Sequence, residues 1–262
     1  MTIDHHGTTA LVTGASSGIG AEFARQLAAQ GAHLVLVARR ADKLEELADE
    51  LRDAFGSTVH VIPADLARPR PAAMLAAEIA RLGLTVDTVV ANAGFGTFGT
   101  FEDEDPDRIA EEIALNVAGL VDVAREFYPA MLAAGRGALV TVASVAAYQP
   151  IPKMAVYGAT KAFVLSFTEA LWFEARHSGL RVLALSPGAT GTDFFDIAGS
   201  DGHFGSKRAT PASVVSLAMR TLDKPNGPGS VIAGVGNRTA AWGERFAPRR
   251  VVVALAGRLS GA

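Results

Sequence analysis

The chain has 262 residues and a formal net charge of −3, with 49% hydrophobic and 19% charged residues, which is typical of a folded globular protein long enough to bury a large core. This charge balance, without a basic stripe, argues against a nucleic-acid partner. Cysteine is absent and the six histidines are scattered, so disulfides, thiolate metal sites and cysteine nucleophiles are excluded, and we predict no metal site.

The apolar segments give no indication of export or membrane insertion. Residues 1–9 contain Asp4 and two histidines and lack the apolar core of a signal peptide. No apolar run approaches the roughly 18 residues that a membrane-spanning helix needs. We therefore expect a cytoplasmic protein without a membrane span.

Apolar runs alternate with segments of helical period along almost the whole chain. The candidate strands are 9–13, 33–38, 58–62, 86–91, 137–143, 181–186 and 230–233. The candidate helices are 18–30, 41–54, 71–82, 107–132, 155–177 and 211–221. Continuous rather than alternating apolar runs are typical of parallel strands covered on both faces. The pattern predicts an α/β fold: one doubly wound, Rossmann-type domain over residues 1–262, with about seven parallel strands and helices on both faces.

A glycine-rich segment follows the first predicted strand and opens the first predicted helix. It reads Thr13-Gly14-Ala15-Ser16-Ser17-Gly18-Ile19-Gly20. A strand, a glycine turn and a helix aim backbone N–H groups and the helix dipole at a pyrophosphate. The spacing Gly-x-x-x-Gly-x-Gly differs from the usual dinucleotide fingerprint, and the alternative is an ordinary tight turn. Three glycines and two serines favour phosphate binding.

Tyr157 follows Ser144 by thirteen residues, and Lys161 follows Tyr157 by four. On a helix the tyrosine and the lysine face the same way. An ammonium near a phenol favours the phenolate, which predicts that the pKa of Tyr157 falls from about 10 toward neutrality, where it can transfer protons. Ser144 could hold the oxygen of a carbonyl or alcohol. Alone, the pair could occur by chance.

Six motifs together resemble the short-chain dehydrogenase/reductase family in order and spacing. They are Thr13-Gly-x-x-x-Gly-x-Gly20, Asn92-Ala93-Gly94, Asn116, Ser144, Tyr157-x-x-x-Lys161 and Pro187-Gly188 through Thr192. The resemblance runs from about Ala10 to Thr192 and more loosely to residue 234. One departure is Ala91, where the family often has a further asparagine.

The resemblance implies a catalytic set of Ser144, Tyr157, Lys161 and Asn116. Tyr157 would exchange the proton, Ser144 would hydrogen-bond the substrate oxygen, and Lys161 would lower the pKa of the phenol and bind the nicotinamide ribose. Asn116 would steady a water path to Lys161. Taken alone, Asn116 could equally be a helix residue bonded to its own backbone.

The resemblance also implies a dinucleotide site at the carboxyl ends of the strands. Asn92, Ala93 and Gly94 would lie against the adenosine ribose, and Asp65 would accept a hydrogen bond from the adenine amino group; Asp65 could instead be a helix cap. Pro187, Gly188 and Thr192 would hold the nicotinamide amide, or form a simple turn. The full implied cofactor set is Gly14, Ser16, Ser17, Gly18, Ile19, Gly20, Arg39, Arg40, Asp65, Leu66, Asn92, Ala93, Gly94, Tyr157, Lys161, Pro187, Gly188, Thr190 and Thr192.

The end of the second predicted strand favours NADP(H) over NAD. An acidic residue there would accept from a free ribose 2′-hydroxyl and repel a 2′-phosphate. The chain instead has Arg39 and Arg40, with no carboxylate before Asp42. A guanidinium fits phosphate oxygens, with Arg39 the first candidate and Arg40 the second. The alternative is two arginines at a solvated helix start.

Residues 193–209 break the strand–helix pattern and are predicted to form a substrate loop. Phenylalanines among glycines and charges suit a lid that closes over a substrate; the alternative is a plain surface connection. The side chains expected to rim the crevice are Phe95, Phe98, Tyr148, Ile151, Met154, Phe194 and Phe195. They favour an apolar substrate, although Tyr148 and Met154 could be packing residues.

Residues 235–262 extend past the last predicted strand. Their most apolar stretch, 251–256, is flanked by Arg249, Arg250 and Arg258. We expect it to pack on the parent domain or a partner subunit; the alternative is an amphipathic helix on a membrane surface. The resemblance implies a homo-oligomer, a dimer or tetramer, formed through helices 107–132 and 155–177.

The predicted activity is hydride transfer between NADP(H) and a small-molecule carbonyl or alcohol. One alternative is a non-catalytic dinucleotide-binding module or redox sensor, which would not need Ser144, Tyr157 and Lys161 together. A sugar-nucleotide epimerase or dehydratase resembles longer chains with a different glycine spacing, and is disfavoured.

Overall fold

In a computed structural model that describes residues 3–194, 198, 208–244 and 246–261, without the side chain of Leu259, seven parallel strands form one sheet in the order β3-β2-β1-β4-β5-β6-β7. The strands are β1 (Thr9–Thr13), β2 (His33–Ala38), β3 (Val59–Pro63), β4 (Val86–Ala91), β5 (Ala138–Val142), β6 (Arg181–Ser186) and β7 (Ser230–Ile232). The predicted doubly wound parallel sheet is confirmed.

The helices follow the strands as the alternating pattern predicts. They are α1 (Gly18–Ala29), α2 (Ala41–Phe55), α3 (Pro71–Arg81), α4 (Pro106–Ile113), α5 (Leu120–Ala134), α6 (Ala155–Ala175), α7 (Pro211–Leu222), α8 (Val235–Glu244) and α9 (Arg249–Ser260). A π-helix, Ala114–Gly119, joins α4 to α5, and a 3₁₀ turn, Val145–Ala147, follows β5. The single predicted helix 107–132 is therefore interrupted by a wider turn.

Alternation along β1 explains why helices cover both faces of the sheet. Ala10 and Val12 join a core with α1, α2 and α7, whereas Leu11 joins a second core with α3, α5 and α6. All five residues of β1 are buried, as a central strand between two helical layers requires.

The position of β1 between β2 and β4 creates the crevice in which such sheets bind ligands. The chain runs from β1 to β2 and β3 on one side, and resumes with β4 on the other. Connections that leave in opposite directions open a gap beyond the carboxyl ends of the two strands. Four of the predicted site segments begin within two residues of the ends of β1, β4, β5 and β6.

The C-terminal segment packs on the parent domain along one side of α9. Val252 and Ala256 are buried, whereas Val251 and Leu255 are exposed. Lys153 Nζ donates a hydrogen bond to the Gly261 carbonyl at 2.6 Å, which joins the end of α9 to the loop before α6. Among the described residues, no helix combines the length and apolar character needed to cross a membrane.

Candidate active site

The glycine turn after β1 has a geometry that only glycine accommodates. Gly14 has φ +63°, and a Cβ there would lie 2.7 Å from Asn92 Nδ2 and 2.8 Å from Ala93 Cα. Gly18 has φ +58°, a backbone angle that residues with a Cβ rarely adopt. The Asn92 amide donates to the carbonyls of Thr13 (3.0 Å) and Gly14 (3.1 Å). Asn92 therefore anchors the turn, a role that its predicted ribose contact does not include.

The start of α1 fits a diphosphate group. The first N–H groups of a helix lack intrahelical partners and attract anions. Ser17 is the N-cap, and within the described part of the chain its side chain makes no capping hydrogen bond. Ile19 packs against the core beneath. The helix start is thus held in place from below while its N–H groups stay uncapped.

The two arginines after β2 point to different neighbours. Arg40 Nη2 donates to the hydroxyls of Ser16 and Ser17, both at 3.1 Å, and lies 3.6 Å from an Asp193 carboxylate oxygen. Arg39 forms an ion pair with Glu111 at 2.7 Å. The geometry therefore favours Arg40, the second candidate from sequence, as the guanidinium beside the glycine turn.

The predicted adenine contact, Asp65, stabilises its own turn. Its Oδ1 accepts from the Ala67 N–H at 3.0 Å, and its Oδ2 lies 3.4 Å from Arg68 Nε. Leu66 is buried, and its carbonyl lies against Gly119 of the π-helix. Asp65 therefore stabilises a local turn, and it is not the helix cap that the sequence left open as an alternative, since Arg70 is the N-cap of α3.

Residues 187–192 approach the crevice from β6. The Pro187 carbonyl accepts from the Val145 N–H at 2.9 Å, which joins the loops after β5 and β6. Gly188 lies against the Asn237 side chain, and Thr190 Oγ1 donates to the Gly188 carbonyl at 2.9 Å. A Cβ on Gly18 would lie 2.8 Å from Thr192 Cγ2. The segment therefore reaches the glycine turn of β1.

The structure brings Ser144, Tyr157 and Lys161 together, all with their side chains buried. Ser144 Oγ accepts a hydrogen bond from the Ala146 N–H at 3.1 Å, and the Ser144 hydroxyl acts on the Tyr157 phenol by lowering its pKa. Lys161 Nζ lies 5.8 Å from the centroid of the Tyr157 ring and donates to the Val142 carbonyl at 2.8 Å. The end of β5 thus supplies both Ser144 and the carbonyl that holds the lysine.

The pKa of Tyr157 corrects one expectation from the sequence. Burial raises the pKa of the phenol to about 12; the Ser144 hydrogen bond opposes this shift and the charge of Glu112 adds to it. Among the described residues, the groups that shift the pKa of the phenol do not include Lys161. Burial also lowers the pKa of the Lys161 ammonium to about 8, opposed by Glu112. The phenol is therefore a proton donor at neutral pH in this state.

Asn116 binds the loop after β4 and the helix α6 rather than its own helix backbone. Its Nδ2 donates to the Phe95 carbonyl (2.8 Å) and to Thr160 Oγ1 (3.1 Å), and its Oδ1 accepts from the Phe95 N–H at 3.1 Å. A Cβ on Gly94 would lie 2.8 Å from this Oδ1 and 3.3 Å from Lys161 Nζ. Asn116 sits in the π-helix, a feature frequent at functional sites.

An apolar cluster surrounds the reactive phenol. Tyr157 packs with Ala146, Met154, Phe98, Ile151 and Phe194. The rings of Tyr157 and Phe194 are 5.1 Å apart, which places the start of the predicted substrate loop on the phenol. Phe95 is buried, with the Arg108 guanidinium 4.2 Å from its ring centroid, and Tyr148 packs in a different core.

Most of the predicted substrate loop, including Phe195, Ile197 and Phe204, lies outside the described residues.

The sequence analysis missed two residues near the site, Glu112 and Thr97. Glu112 is fully buried, and its Oε2 accepts from the N–H and the hydroxyl of Thr97, both at 3.0 Å. The available signal was its spacing, one helical turn before Asn116.

Comparisons with known proteins find relatives of this chain in sequence and in fold. A family model described as short chain dehydrogenase matches residues 8–201. Glycine betaine reductase ATRR of Emericella nidulans is 39% identical over 71% of this chain, which spans 15% of that protein. The 7beta-hydroxysteroid dehydrogenase of Collinsella aerofaciens is 32% identical over 90% of this chain and 89% of that protein.

A solved structure shares both the fold and the sequence pattern. It is a short-chain dehydrogenase from Sphingobium yanoikuyae in complex with NADPH, which superposes with a TM-score of 0.80 at 36% identity, over 91% of this chain and 93% of that chain. These relatives are reductases or dehydrogenases, and they give no support to the alternative of a non-catalytic module.

Proposed function

The chain belongs to the short-chain dehydrogenase family, and from the geometry of its site we propose that it is an NADP(H)-dependent carbonyl reductase or alcohol dehydrogenase for an apolar ketone or secondary alcohol. It is an oxidoreductase that transfers a hydride between a nicotinamide dinucleotide and a carbonyl or alcohol. The observation that carries the proposal is the buried convergence of Ser144, Tyr157 and Lys161 beside Gly94.

The side chains have complementary roles in this reaction. The nicotinamide ring, when bound, supplies or accepts the hydride. The Tyr157 phenol gives its proton to the substrate oxygen in reduction and takes one back in oxidation. Ser144, buried beside the phenol, donates to the same oxygen, where charge develops in the transition state. Lys161, held on the Val142 carbonyl, supplies positive charge beside the phenol.

Asn116 contributes position. Its amide holds both backbone groups of Phe95, and thereby fixes Gly94, which lies between Asn116 and Lys161. The uncapped start of α1 would hold the diphosphate, and Asn92 would keep the glycine turn in shape for it.

The preference for NADP(H) rests on charge. Arg40 lies at the glycine turn with its guanidinium on Ser16 and Ser17. The guanidinium N–H groups of Arg40 would donate charge-assisted hydrogen bonds to a 2′-phosphate, and they would bind a neutral 2′-hydroxyl less strongly. The preference for an apolar substrate rests on Phe98, Ile151 and Met154 around the phenol, and a relative of this chain is a hydroxysteroid dehydrogenase by name.

The experiment is a rate comparison. The purified protein is mixed with NADPH or NADH and a panel of bulky apolar ketones, including a keto-steroid, with a ketose as polar control, and nicotinamide absorbance is followed. We expect turnover of an apolar ketone with NADPH and a preference over NADH of at least about tenfold. Preference for NADH would contradict the cofactor assignment, and preference for the ketose would contradict the substrate class.

Residues on the outer surface support a homo-oligomer as a further part of the proposal. Phe163 and Phe173 of α6 are 42% and 56% exposed, and Ile113 at the end of α4 is 46% exposed, which leaves an apolar surface on the two predicted contact helices. Light scattering should give a dimer or tetramer. Phe163→Glu should shift the measured molar mass toward that of a monomer. Phe246→Glu, at an exposed phenylalanine outside these helices, should leave the molar mass unchanged.

A further inference from the structure

A buried carboxyl beside the reactive residues has no role in the mechanism above. Glu112 of α4 is fully buried. Its Oε2 accepts from the N–H and hydroxyl of Thr97, and its Oε1 has no hydrogen-bond partner among the described residues. Burying an unpaired carboxylate oxygen is costly, so the environment favours a protonated acid.

The hydrogen count around Thr97 supports the same conclusion. Thr97 Oγ1 lies 2.8 Å from Glu104 Oε1 and 3.0 Å from Glu112 Oε2. A hydroxyl carries one hydrogen, so it can donate to only one carboxylate, and the other contact needs a proton from a carboxyl. Glu112 is the more buried of the two. When Glu112 is protonated, the hydrogen bonds run from Glu112 through the Thr97 hydroxyl to Glu104; when Glu112 is ionised, the hydroxyl donates to only one of the two carboxylates.

Burial also raises the pKa of Glu112 to about 7; the charge of Glu104 adds to the rise, whereas Lys161 and the Thr97 hydrogen bonds oppose it. The carboxyl therefore titrates in the neutral range. The charged groups that act on it come from the loop before α4 (Glu104) and from α6 (Lys161). Arg108, one turn earlier on its own helix, pairs with Glu111 instead.

This carboxyl acts on the reacting phenol in two ways, through the backbone of the loop at Thr97 and through its charge. Thr97 follows Gly96, and a Cβ on Gly96 would lie 2.8 Å from Tyr157 Cδ2. The backbone from Gly94 to Thr97 is thus held by Asn116 at Phe95 and by Glu112 at Thr97. In addition, the charge of Glu112 raises the pKa of both Tyr157 and Lys161.

We propose that Glu112 is a positioning residue for the reaction: it fixes the loop that faces Tyr157, and its loss of a proton places a negative charge near Tyr157 and Lys161. The inference rests on the proposed function. Its sign is defined, because an anion near the phenol stabilises the protonated form. Above neutral pH the phenolate needed for alcohol oxidation is therefore less available than it would be beside a neutral group.

The test compares Glu112→Gln with Glu104→Gln. The control variant Glu104→Gln removes the charge of the second carboxyl on Thr97, keeps an amide oxygen there as acceptor, and leaves Glu112 intact. The first measurement needs no turnover: the tyrosine phenolate is titrated by ultraviolet difference absorbance, with Tyr157→Phe identifying the signal. Glu112→Gln should lower the pKa of the Tyr157 phenol by roughly half to one unit. Glu104→Gln should leave that pKa unchanged. An unchanged titration in folded Glu112→Gln would overturn the proposal.

The second measurement is the pH profile of alcohol oxidation. The wild-type rate should show an inflection near pH 7 that Glu112→Gln lacks, with its basic limb shifted to lower pH. Carbon-13 NMR of the wild-type glutamate carboxyls keeps the idea testable if the variant does not fold, since an ordinary titration of Glu112 near 4 would refute it. Failure of the proposed function, by contrast, would appear as no turnover with the phenolate shift intact.

Discussion

The two ends of the predicted cofactor crevice are held in opposite ways. At the catalytic end, Asn116 is fully buried and makes hydrogen bonds to two other segments. At the end beside the glycine turn, Arg39 and Arg40 have side chains 58% and 48% exposed. Buried polar groups are costly to unpair, whereas exposed ion pairs contribute little. One end is fixed by the fold, and the other is adjustable by solvent and ligand.

The difference teaches where substitutions should act. At the catalytic end a change removes a group that no water can replace, so rate or stability should fall steeply. At the arginine end a change removes a screened charge, so only the affinity for a phosphate-bearing cofactor should change. The following predictions sharpen this contrast.

Tyr157→Phe should have the largest effect. It removes the proton donor and leaves the ring that packs on Phe194, so we expect turnover to fall by about 10²- to 10⁴-fold. Cofactor affinity should stay within about twofold, because the phenol contributes chemistry more than binding. Single-turnover rates and fluorescence titration with NADPH measure the two quantities. Retained turnover would contradict the assignment of the phenol.

Asn116→Ala should have the next largest effect, and it acts on stability. The change leaves the buried N–H and carbonyl of Phe95 without their partner, and each unpaired group costs about 1–3 kcal/mol. We expect the free energy of unfolding to fall by about 2–4 kcal/mol, measured by urea denaturation. Asn226→Ala, at an exposed asparagine, is the matched control and should change it by less than about 0.5 kcal/mol. Equal effects of the two changes would mean that burial does not distinguish these sites.

Sequence patterns were sufficient to predict the sheet and to place Ser144, Tyr157 and Lys161 in one region, for a physical reason. Continuous apolar runs determine parallel strands, and the spacing of Tyr157 and Lys161 on one helix determines that both reach the end of β5. The partners of these groups could not be read in the same way. The Val142 carbonyl that holds Lys161 lies 19 residues away, and the Thr13 carbonyl that Asn92 holds lies 79 residues away.

Three further features could not be predicted from the periodicity of the sequence. The π-helix at Asn116 adds a wider turn inside an otherwise regular helical pattern, which a period averaged over the segment does not reveal. The choice between Arg39 and Arg40 depends on the direction in which the chain leaves β2, and neighbouring residues there face opposite ways. Glu112 was not singled out from the sequence, because its burial comes from the loop at Thr97.

Arg40→Ala and Arg39→Ala form the pair with the smallest expected effects. Arg40 lies on the serines of the glycine turn, so its loss should raise the KM for NADPH about five- to tenfold, corresponding to about 1 kcal/mol for a partly exposed phosphate contact. Arg39 is already paired with Glu111, so its loss should raise that KM by less than about twofold. The KM for NADH should hardly change in either variant, because it has no 2′-phosphate. The Arg40 effect should shrink as salt screens the charge. A larger effect for Arg39→Ala would mean that the 2′-phosphate draws this arginine away from Glu111, and that the exposed end rearranges on binding while the buried end does not.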